Sequence, residues 1–238
     1  MNETVKRLVE AGLVFGVQKD QDDLRYSRIT LQDGQLYLHT LLRQPPPSHA
    51  HTLKVSEVLE ALDHSSTLVF LDLAWPGSLA WPGSLAGPAA TRHRLHIQLT
   101  GDTMRARQFV LLCTGQHSGS SYLNTKLFKL WNKDEPGEYV RGGDYQYNNG
   151  RGGAALFSHQ DDHHYQKSSS AGAVWSARWW GSLQSAQFCI TTRDLTDGRQ
   201  WYGVFGKVVK GLEVVKAAVN HSDITEVTVV DSGVVLTL

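Results

Sequence analysis

The stretch VFGKVVKGLEVV, residues 204–215, decides the fold because it joins a strand directly to a helix. Its first half predicts a strand, and a helix begins after Gly211. Leu212, Val215 and Val219 then fall on one face of that helix. The apolar face predicts a helix that packs against a sheet rather than one that stands in solvent.

A second helix is predicted far upstream, over residues 102–115. Asp102 is placed to cap its N-terminus and Gly115 to end it. Strand-like stretches flank both helices, among them TLVFLDLAW, RHRLHIQLTG, GAVWSAR and AQFCITT. Many strands and two isolated helices predict a mainly β fold, an antiparallel barrel capped at its ends. The apolar stripe of the upstream helix comprises Ala106, Phe109, Val110 and Cys113.

The sequence pattern of residues 1–66 differs from that of the rest of the chain. It predicts a small α/β N-terminal extension to the domain formed by residues 67–238. Asp33-Gly34 is a two-residue hairpin signal, and RQPPPSHAH forms a proline-rich linker that no regular element can cross. The extension carries no recognisable chemistry. Its two predicted helices rest on the apolar positions Val5, Leu8, Val9 and Leu13, and on Val55, Val58, Leu59 and Leu62.

Composition excludes several classes of function. Of 238 residues, Lys+Arg and Asp+Glu number 23 each, so the net charge is zero, and no dense basic run suggests a nucleic-acid partner. No run approaches the ~20 apolar residues of a membrane span, and the N-terminus resembles neither a signal nor a transit peptide. Cys113 and Cys189 both lie in apolar stretches, which indicates reduced, buried thiols. A cytoplasmic protein is expected.

The hexapeptide AWPGSL occurs twice in tandem, at residues 74–79 and 80–85. The simpler interpretation is a duplication at a hairpin tip, because lengthening a surface loop costs little free energy. The alternative is a docking arm that presents Trp75 and Trp81 to a partner protein.

Several stretches, in order, resemble the cyclophilin family of peptidyl-prolyl isomerases. VFLDL is similar to the family's first strand and ARQFVLLCTG to its first helix. YVRGGDY and NNGRGG resemble its Gly-Gly-Asp strand and glycine loop, GAVWSA and AQFCITT its groove strands, and VFGKVVKGLEVV its last core strand and second helix. The resemblance covers residues 67–238 and implies an eight-stranded barrel with two capping helices. It is closest to divergent members with an N-terminal extension, of the kind associated with cilia and flagella.

Isomerisation requires an apolar grip on proline and a fixed cationic donor that favours the twisted amide. The resemblance implies that an arginine supplies the donor, and that position falls on Lys129, or on Leu130 after a one-residue slip. Lysine lacks the planar fork of arginine. The family's first pocket phenylalanine corresponds to Glu138 and its backbone-binding glutamine to Arg141. A carboxylate there needs a partner, for which Arg141 and Lys129 are the candidates.

The rest of the groove departs from the family as well. The second pocket phenylalanine corresponds to Cys189, and only Ala177 and Gln187 agree with the family. Cys189 is interpreted as a small buried side chain, because no neighbouring cation or helix N-terminus is evident to activate a thiol. We therefore expect a groove that has lost its rings and gained ionic groups. The tryptophan, leucine and histidine positions of the family correspond to Leu195, Thr196 and Gln200.

Two further motifs lie outside these positions. HQDDHHY, residues 159–165, contains possible metal ligands but has no spacing that would bring them together, so neither a metal nor a cofactor is expected. Trp179 and Trp180 stand where the family has small residues. They are interpreted either as a plug for the vacant pocket or as a binding hot spot.

Three functions are therefore open. The first is a catalytically inactive cyclophilin-like subunit that binds protein partners in a larger assembly, with a ciliary or flagellar axoneme implied by the resemblance alone. The second is a weak prolyl isomerase that uses Lys129. The third is a peptide reader in which Glu138 and Arg141 recognise polar groups. The changes at several groove positions favour the first.

Overall fold

The computed structural model describes residues 2–20, 23–60, 67–78, 93–101, 103–117, 119–157, 166–176 and 185–236. The extension contains one full helix, a short second helix and four strands. In chain order these are α1 (Asn2–Ala11), β1 (Val14–Asp20), β2 (Asp23–Gln32), β3 (Gln35–His39), β4 (His51–Lys54) and α2 (Val55–Leu59).

The domain that follows contains nine strands and two α-helices within the described residues. They are β5 (Leu68–Ala74), β6 (Arg94–Leu99), α3 (Met104–Thr114), β7 (Lys129–Trp131), β8 (Tyr139–Gly142), β9 (Gln166–Ser168), β10 (Ala173–Ser176), β11 (Phe188–Thr191), β12 (Trp201–Lys210), α4 (Leu212–Val219) and β13 (Thr228–Leu236), with a 3-10 turn at Ile224–Glu226.

The extension follows its predicted outline and differs in detail. Asp33 and Gly34 form the β2–β3 hairpin turn with φ angles of 49° and 76°, which matches the predicted two-residue turn. Helix α1 ends at Ala11, so Leu13, which was predicted to belong to this helix, lies outside it and is 45% exposed. No sequence pattern predicted β4, a polar strand that pairs in parallel with β1.

The barrel is formed by eight strands in the order β13-β5-β6-β12-β10-β11-β8-β7. The two ends of this path approach each other through a bridge between Lys126 and Thr228 and a hydrogen bond from Leu127 N to Val227 O of 2.9 Å. The apolar faces predicted for helices α3 and α4 are buried except at Val110 and Leu212, which are half-buried and pack against the core. The core centres on the rings of Phe109, Tyr122, Phe188 and Phe205.

Helix α3 begins and ends as a capped helix should. Thr103 is its N-cap and accepts a hydrogen bond from Ala106 N at 3.2 Å; the predicted cap, Asp102, lies outside the described residues. Gly115 ends the helix in the left-handed conformation, with φ of 69°.

The last strand joins the extension to the barrel. One edge of β13 pairs with β5, and the C-terminal half of its other edge, Gly233–Leu236, pairs with β3. The extension therefore continues the sheet of the barrel. At the crossing, Gly233 lies against β3, where a Cβ would stand 2.0 Å from Leu38 O, so only glycine permits this approach.

The outer face of this junction carries a set of polar and aromatic side chains that we call the seam. Its members are Tyr37, His39, Phe70, Asp72, Arg94, His96 and Asp231. Asp72 binds Arg94 through two hydrogen bonds of 2.6 and 2.7 Å, and both residues are buried. The Arg94 guanidinium lies 4.6 Å from the Tyr37 ring centroid and 4.1 Å from that of Phe70. The bidentate partner and the two ring faces offset the free-energy cost of burying the Arg94 charge.

A second polar group in the seam links the extension to β13. His39 Nδ1 lies 2.8 Å from Asp231 Oδ2, and His39 Nε2 lies 2.8 Å from Thr30 Oγ1. Burial raises the pKa of the Asp231 carboxyl, but the charge and hydrogen bond of His39 outweigh that effect and hold the pKa below its ordinary value.

None of the helices in the described part of the chain has the length and apolarity that crossing a bilayer requires.

Candidate functional site

The positions that the sequence analysis assigned to the groove lie side by side on the sheet. Lys129 pairs with Arg141, Arg141 with Cys189, and Cys189 with Trp175, across β7, β8, β11 and β10. Directly paired residues of antiparallel strands project from the same face. We call this surface the groove face. It brings together Lys129, Arg141 and Cys189, as expected, and adds Trp175, which the sequence analysis did not assign.

Rings from other positions occupy the centre of the groove face. Trp175 and Trp201 stack with centroids 4.6 Å apart and planes 10° apart, and Tyr139 meets both edge-on at 5.1 and 5.2 Å. Trp131 stacks on Tyr139 at 6.3 Å. We call these four residues the aromatic cluster. The expectation of a groove without rings is therefore corrected: the family's ring positions are lost, and side chains from other positions on β7, β8, β10 and β12 supply new rings.

Cys189 lies beneath this cluster and is 1% exposed. It stands directly opposite Trp175 on the neighbouring strand, where a phenylalanine would compete with the indole for the same space. Burial raises the pKa of its thiol, and the opposing charge of Arg141 reduces that shift only in part. The side chain is an inert thiol that leaves room for a tryptophan.

Lys129 is the residue that the sequence analysis assigned to the position of the cationic donor. Its Nζ lies 4.4 Å above the Trp131 ring at the end of the aromatic cluster, and the side chain is exposed. Leu130, the alternative after a one-residue slip, instead packs against the core. An exposed ammonium on a flexible stem does not provide the fixed donor that transition-state stabilisation requires.

Glu138 is buried but is engaged by its own loop. Its carboxylate accepts hydrogen bonds from Asp134 N at 2.7 Å and from the Thr192 hydroxyl, and lies 3.6 Å from Arg193 Nε. The expected partners, Arg141 and Lys129, do not form this ion pair; Arg193 does. The carboxylate therefore holds the loop of residues 132–135 against Thr192 and Arg193, which follow β11, instead of presenting a charge to a ligand.

Two of the remaining groove positions, Leu195 and Gln200, line a cavity of about 320 Å³ beside the cluster, and Thr196 does not. Leu195 is half-buried, whereas Thr196 and Gln200 are exposed. Gly137, with φ of 76°, allows Leu195 and Trp201 to approach the backbone, because a Cβ there would lie 2.5 Å from Leu195 Cδ2. The cavity is lined by Trp175, Ser176, Leu195, Arg199, Gln200, Trp201 and Tyr202.

The glycine loop that borders the groove is organised by Asp144. Its carboxylate accepts backbone N–H groups of Gln146, Tyr147, Asn149, Gly150 and Gly152 at 2.8–3.2 Å. Burial raises the pKa of Asp144, but these donors outweigh it and hold the pKa below its ordinary value. Gln187 donates to Gly150 O and Gly152 O at 3.0 and 2.6 Å. Both residues serve the frame of the barrel.

Several expected residues can be placed only in part. Trp75 is half-buried, packs against the core and contacts the His93 ring at 4.7 Å, so its ring is already engaged. Ala177, Trp81, Trp179 and Trp180 lie outside the described residues, as does the segment from His159 to His164. Within the described ranges, no three His, Cys, Asp or Glu side chains are arranged to hold a metal ion.

The four residues of the aromatic cluster were not predicted, because none of them occupies a position that the resemblance assigns to the groove. A signal was present in the sequence. In GAVWSA, Val174 and Trp175 alternate, so a strand that buries the valine must direct the tryptophan to the outer, groove face.

Comparison with known proteins agrees with this geometry. The sequence model of the cyclophilin type peptidyl-prolyl cis-trans isomerase/CLD family matches residues 89–235. The peptidyl-prolyl cis-trans isomerase cyp11 of Rhizopus delemar is 30% identical over 137 residues, 54% of this chain, and the chain spans 40% of that protein's length. The crystal structure of the Mimivirus cyclophilin superposes with a TM-score of 0.54 at 16% identity, covering 74% of this chain and 93% of that one.

At 16% identity, the similarity to the Mimivirus cyclophilin supports the fold alone. The family match covers more than half of the chain, from before β6 to the last strand. This protein belongs to the cyclophilin-type peptidyl-prolyl cis-trans isomerase family.

Proposed function

We propose that this chain is a catalytically inactive cyclophilin-like protein that acts as a protein-interaction subunit of a larger assembly. The observation that carries the proposal is the aromatic cluster. Trp175, Trp201 and Tyr139 pack on one another over Cys189. Their rings fill the centre of the groove face, where a catalyst of this family would need an open apolar pocket for proline.

The electrostatics of the groove support the same conclusion. Rotation about a prolyl bond faces a barrier of ~18–20 kcal/mol, and a preorganised donor is needed to lower it. Lys129 is exposed and lies on Trp131, and Glu138 is committed to the 132–135 loop. Neither group provides a donor fixed over a substrate amide.

Exchange NMR on an Xaa-Pro peptide tests the absence of catalysis. We expect the cis–trans exchange rate with the full chain to equal the uncatalysed rate, and Lys129→Ala to change nothing. Acceleration that disappears in Lys129→Ala would establish the alternative, a weak isomerase in which Lys129 acts as the donor. Acceleration that survives in the variant would also overturn the proposal and place the donor elsewhere.

The assembly in question is the second part of the proposal. The resemblance to extended, divergent family members supports a ciliary or flagellar axoneme. A tagged full chain expressed in ciliated cells is expected to remain with the axoneme after the membrane is extracted with detergent. A chain that leaves entirely with the soluble fraction would contradict the axonemal location and leave the absence of catalysis unaffected.

A further inference from the structure

Two of the tryptophans that line the cavity beside the aromatic cluster carry hydrogen-bond donors that are buried and unmatched. Trp175 Nε1 and Trp201 Nε1 are both shielded from solvent, and neither has a hydrogen-bond partner among the described residues. An indole N–H can only donate. Buried polar groups in folded proteins nearly always have a partner, so a pair of such donors beside one cavity indicates an acceptor that is supplied from outside.

Both rings line this cavity of about 320 Å³. That volume lies at the lower end of the range for ligand sites and suits a side chain with its flanking backbone better than a large cofactor. A carboxylate is the acceptor that matches best, because its two oxygens can accept two donors at once and a charged acceptor forms the stronger hydrogen bond.

The charges around the cavity favour the same ligand. Lys129 Nζ lies over Trp131 at one end of the aromatic cluster, and Lys167 Nζ lies 4.9 Å from the Tyr202 ring centroid at the cavity wall. Neither ammonium pairs with a carboxylate among the described residues. Arg199 also lines the cavity, but Asp197 binds it at 2.6 Å, so its charge is already compensated. Lys129 and Lys167 therefore place positive charge at the two ends of this surface.

Exposed rings extend the surface beyond the cavity. Trp131 is 43% exposed and Tyr202 is 58% exposed. Exposed aromatic side chains of this kind are enriched at protein interfaces and provide apolar contact for residues next to a charged anchor. An extended partner segment would thus find a carboxylate site flanked by apolar surface.

We propose that this cavity binds a partner protein through an extended segment with an Asp or Glu side chain, whose carboxylate accepts from Trp175 Nε1 and Trp201 Nε1. The inference rests on the proposed interaction role and names the chemistry of the partner. The ring faces that exclude proline from the groove thereby present a different recognition site on the same surface.

The probe is an array of capped nine-residue peptides presented to the full chain. Each peptide places one glutamate or aspartate among leucine, valine, alanine and proline residues, and its matched copy carries glutamine or asparagine at that position. We expect the acidic peptides to bind and their amide copies to bind at least tenfold more weakly. Equal binding of both sets, or no binding by either, would overturn the inference.

Tryptophan-to-phenylalanine variants then locate the contact. Trp175→Phe and Trp201→Phe keep a ring and remove one donor each, and each is expected to weaken binding of the best acidic peptide about tenfold. Trp75→Phe, which alters a tryptophan outside the aromatic cluster that contacts the His93 ring, is the matched control and should bind normally. Losses no larger than that of Trp75→Phe would contradict the proposed contact.

A measurement on the unmodified chain does not depend on how the variants fold. In a nitrogen–proton NMR spectrum, the indole resonances of Trp175 and Trp201 should shift downfield when the acidic peptide is added, and that of Trp75 should not. If the indole resonances of Trp175 and Trp201 did not move, the proposal would be wrong. An active isomerase would refute the absence of catalysis without touching this result, and failure of the peptides would leave the isomerase result standing.

Discussion

The seam and the groove face are two outer surfaces of one sheet, and they treat polar groups in opposite ways. In the seam the charges are buried and matched: Arg94 binds Asp72, and His39 binds Asp231. On the groove face the cations Lys129 and Lys167 are exposed, while the donors of Trp175 and Trp201 are buried without a described partner. The comparison teaches that the buried ions of the seam find their partners within the chain, although His96 Nδ1 is unmatched, whereas the two indole donors of the groove face have no acceptor among the described residues.

The largest expected effect lies in the seam. Asp72→Ala should lower the free energy of unfolding by about 3–5 kcal/mol, because it leaves the buried Arg94 charge without its bidentate partner. Asp197→Ala is the matched control, since it removes an exposed carboxylate from Arg199 and should leave the free energy of unfolding nearly unchanged. Urea denaturation measures both. Equal effects would remove the distinction between a buried and an exposed pair.

The second-largest expected effect is a dependence of the free energy of unfolding on pH, which originates in His96 of the seam. Burial, then the charges of Arg94 and Lys210, lowers the pKa of His96 to about 4. The unfolded histidine, with a pKa near 6.5, therefore takes up its proton first as the pH falls. Stability from this group is complete above about pH 6.5 and is lost towards pH 4, by about 3 kcal/mol.

Urea denaturation at pH 7 and pH 4.5, on the wild type and on His96→Gln, tests this expectation. The variant should lose markedly less stability between the two pH values than the wild type does. His51→Gln, which removes an exposed histidine of β4, serves as control and should retain the wild-type dependence. If His96→Gln and His51→Gln show the same slope, His96 is not the titrating group.

The smallest effect should appear on the groove face. Trp201→Phe removes an N–H that has no described partner, so its free energy of unfolding should change by less than about 1 kcal/mol. Tyr122→Phe removes a buried hydroxyl that donates to Ala186 O at 2.6 Å, and should cost about 1–2 kcal/mol. A larger loss for Trp201→Phe than for Tyr122→Phe would mean that the indole donor is satisfied within the chain.

Local signals were sufficient for much of the fold. The Asp33-Gly34 turn, the strand within RHRLHIQLTG and the apolar face of α4 are each encoded within a few residues, and the structure confirms them. The exclusion of Leu13 from helix α1 and the presence of strand β4 were not predicted. A polar four-residue strand has no pattern of its own, and its pairing with β1 comes from a segment more than thirty residues earlier in the chain.

For the site, the sequence by itself indicated how the positions assigned by the resemblance have changed: Lys129 in place of the arginine, and Glu138 and Cys189 in place of the two phenylalanines. Those are substitutions at single positions, and composition at a position is visible without coordinates. Only the tertiary structure decided what replaced them. The meeting of Tyr139, Trp175 and Trp201, from three separate strands, depends on the register of the whole barrel. Register is set by long-range pairing, so which rings share a face is a property of the sheet and not of any short stretch of chain.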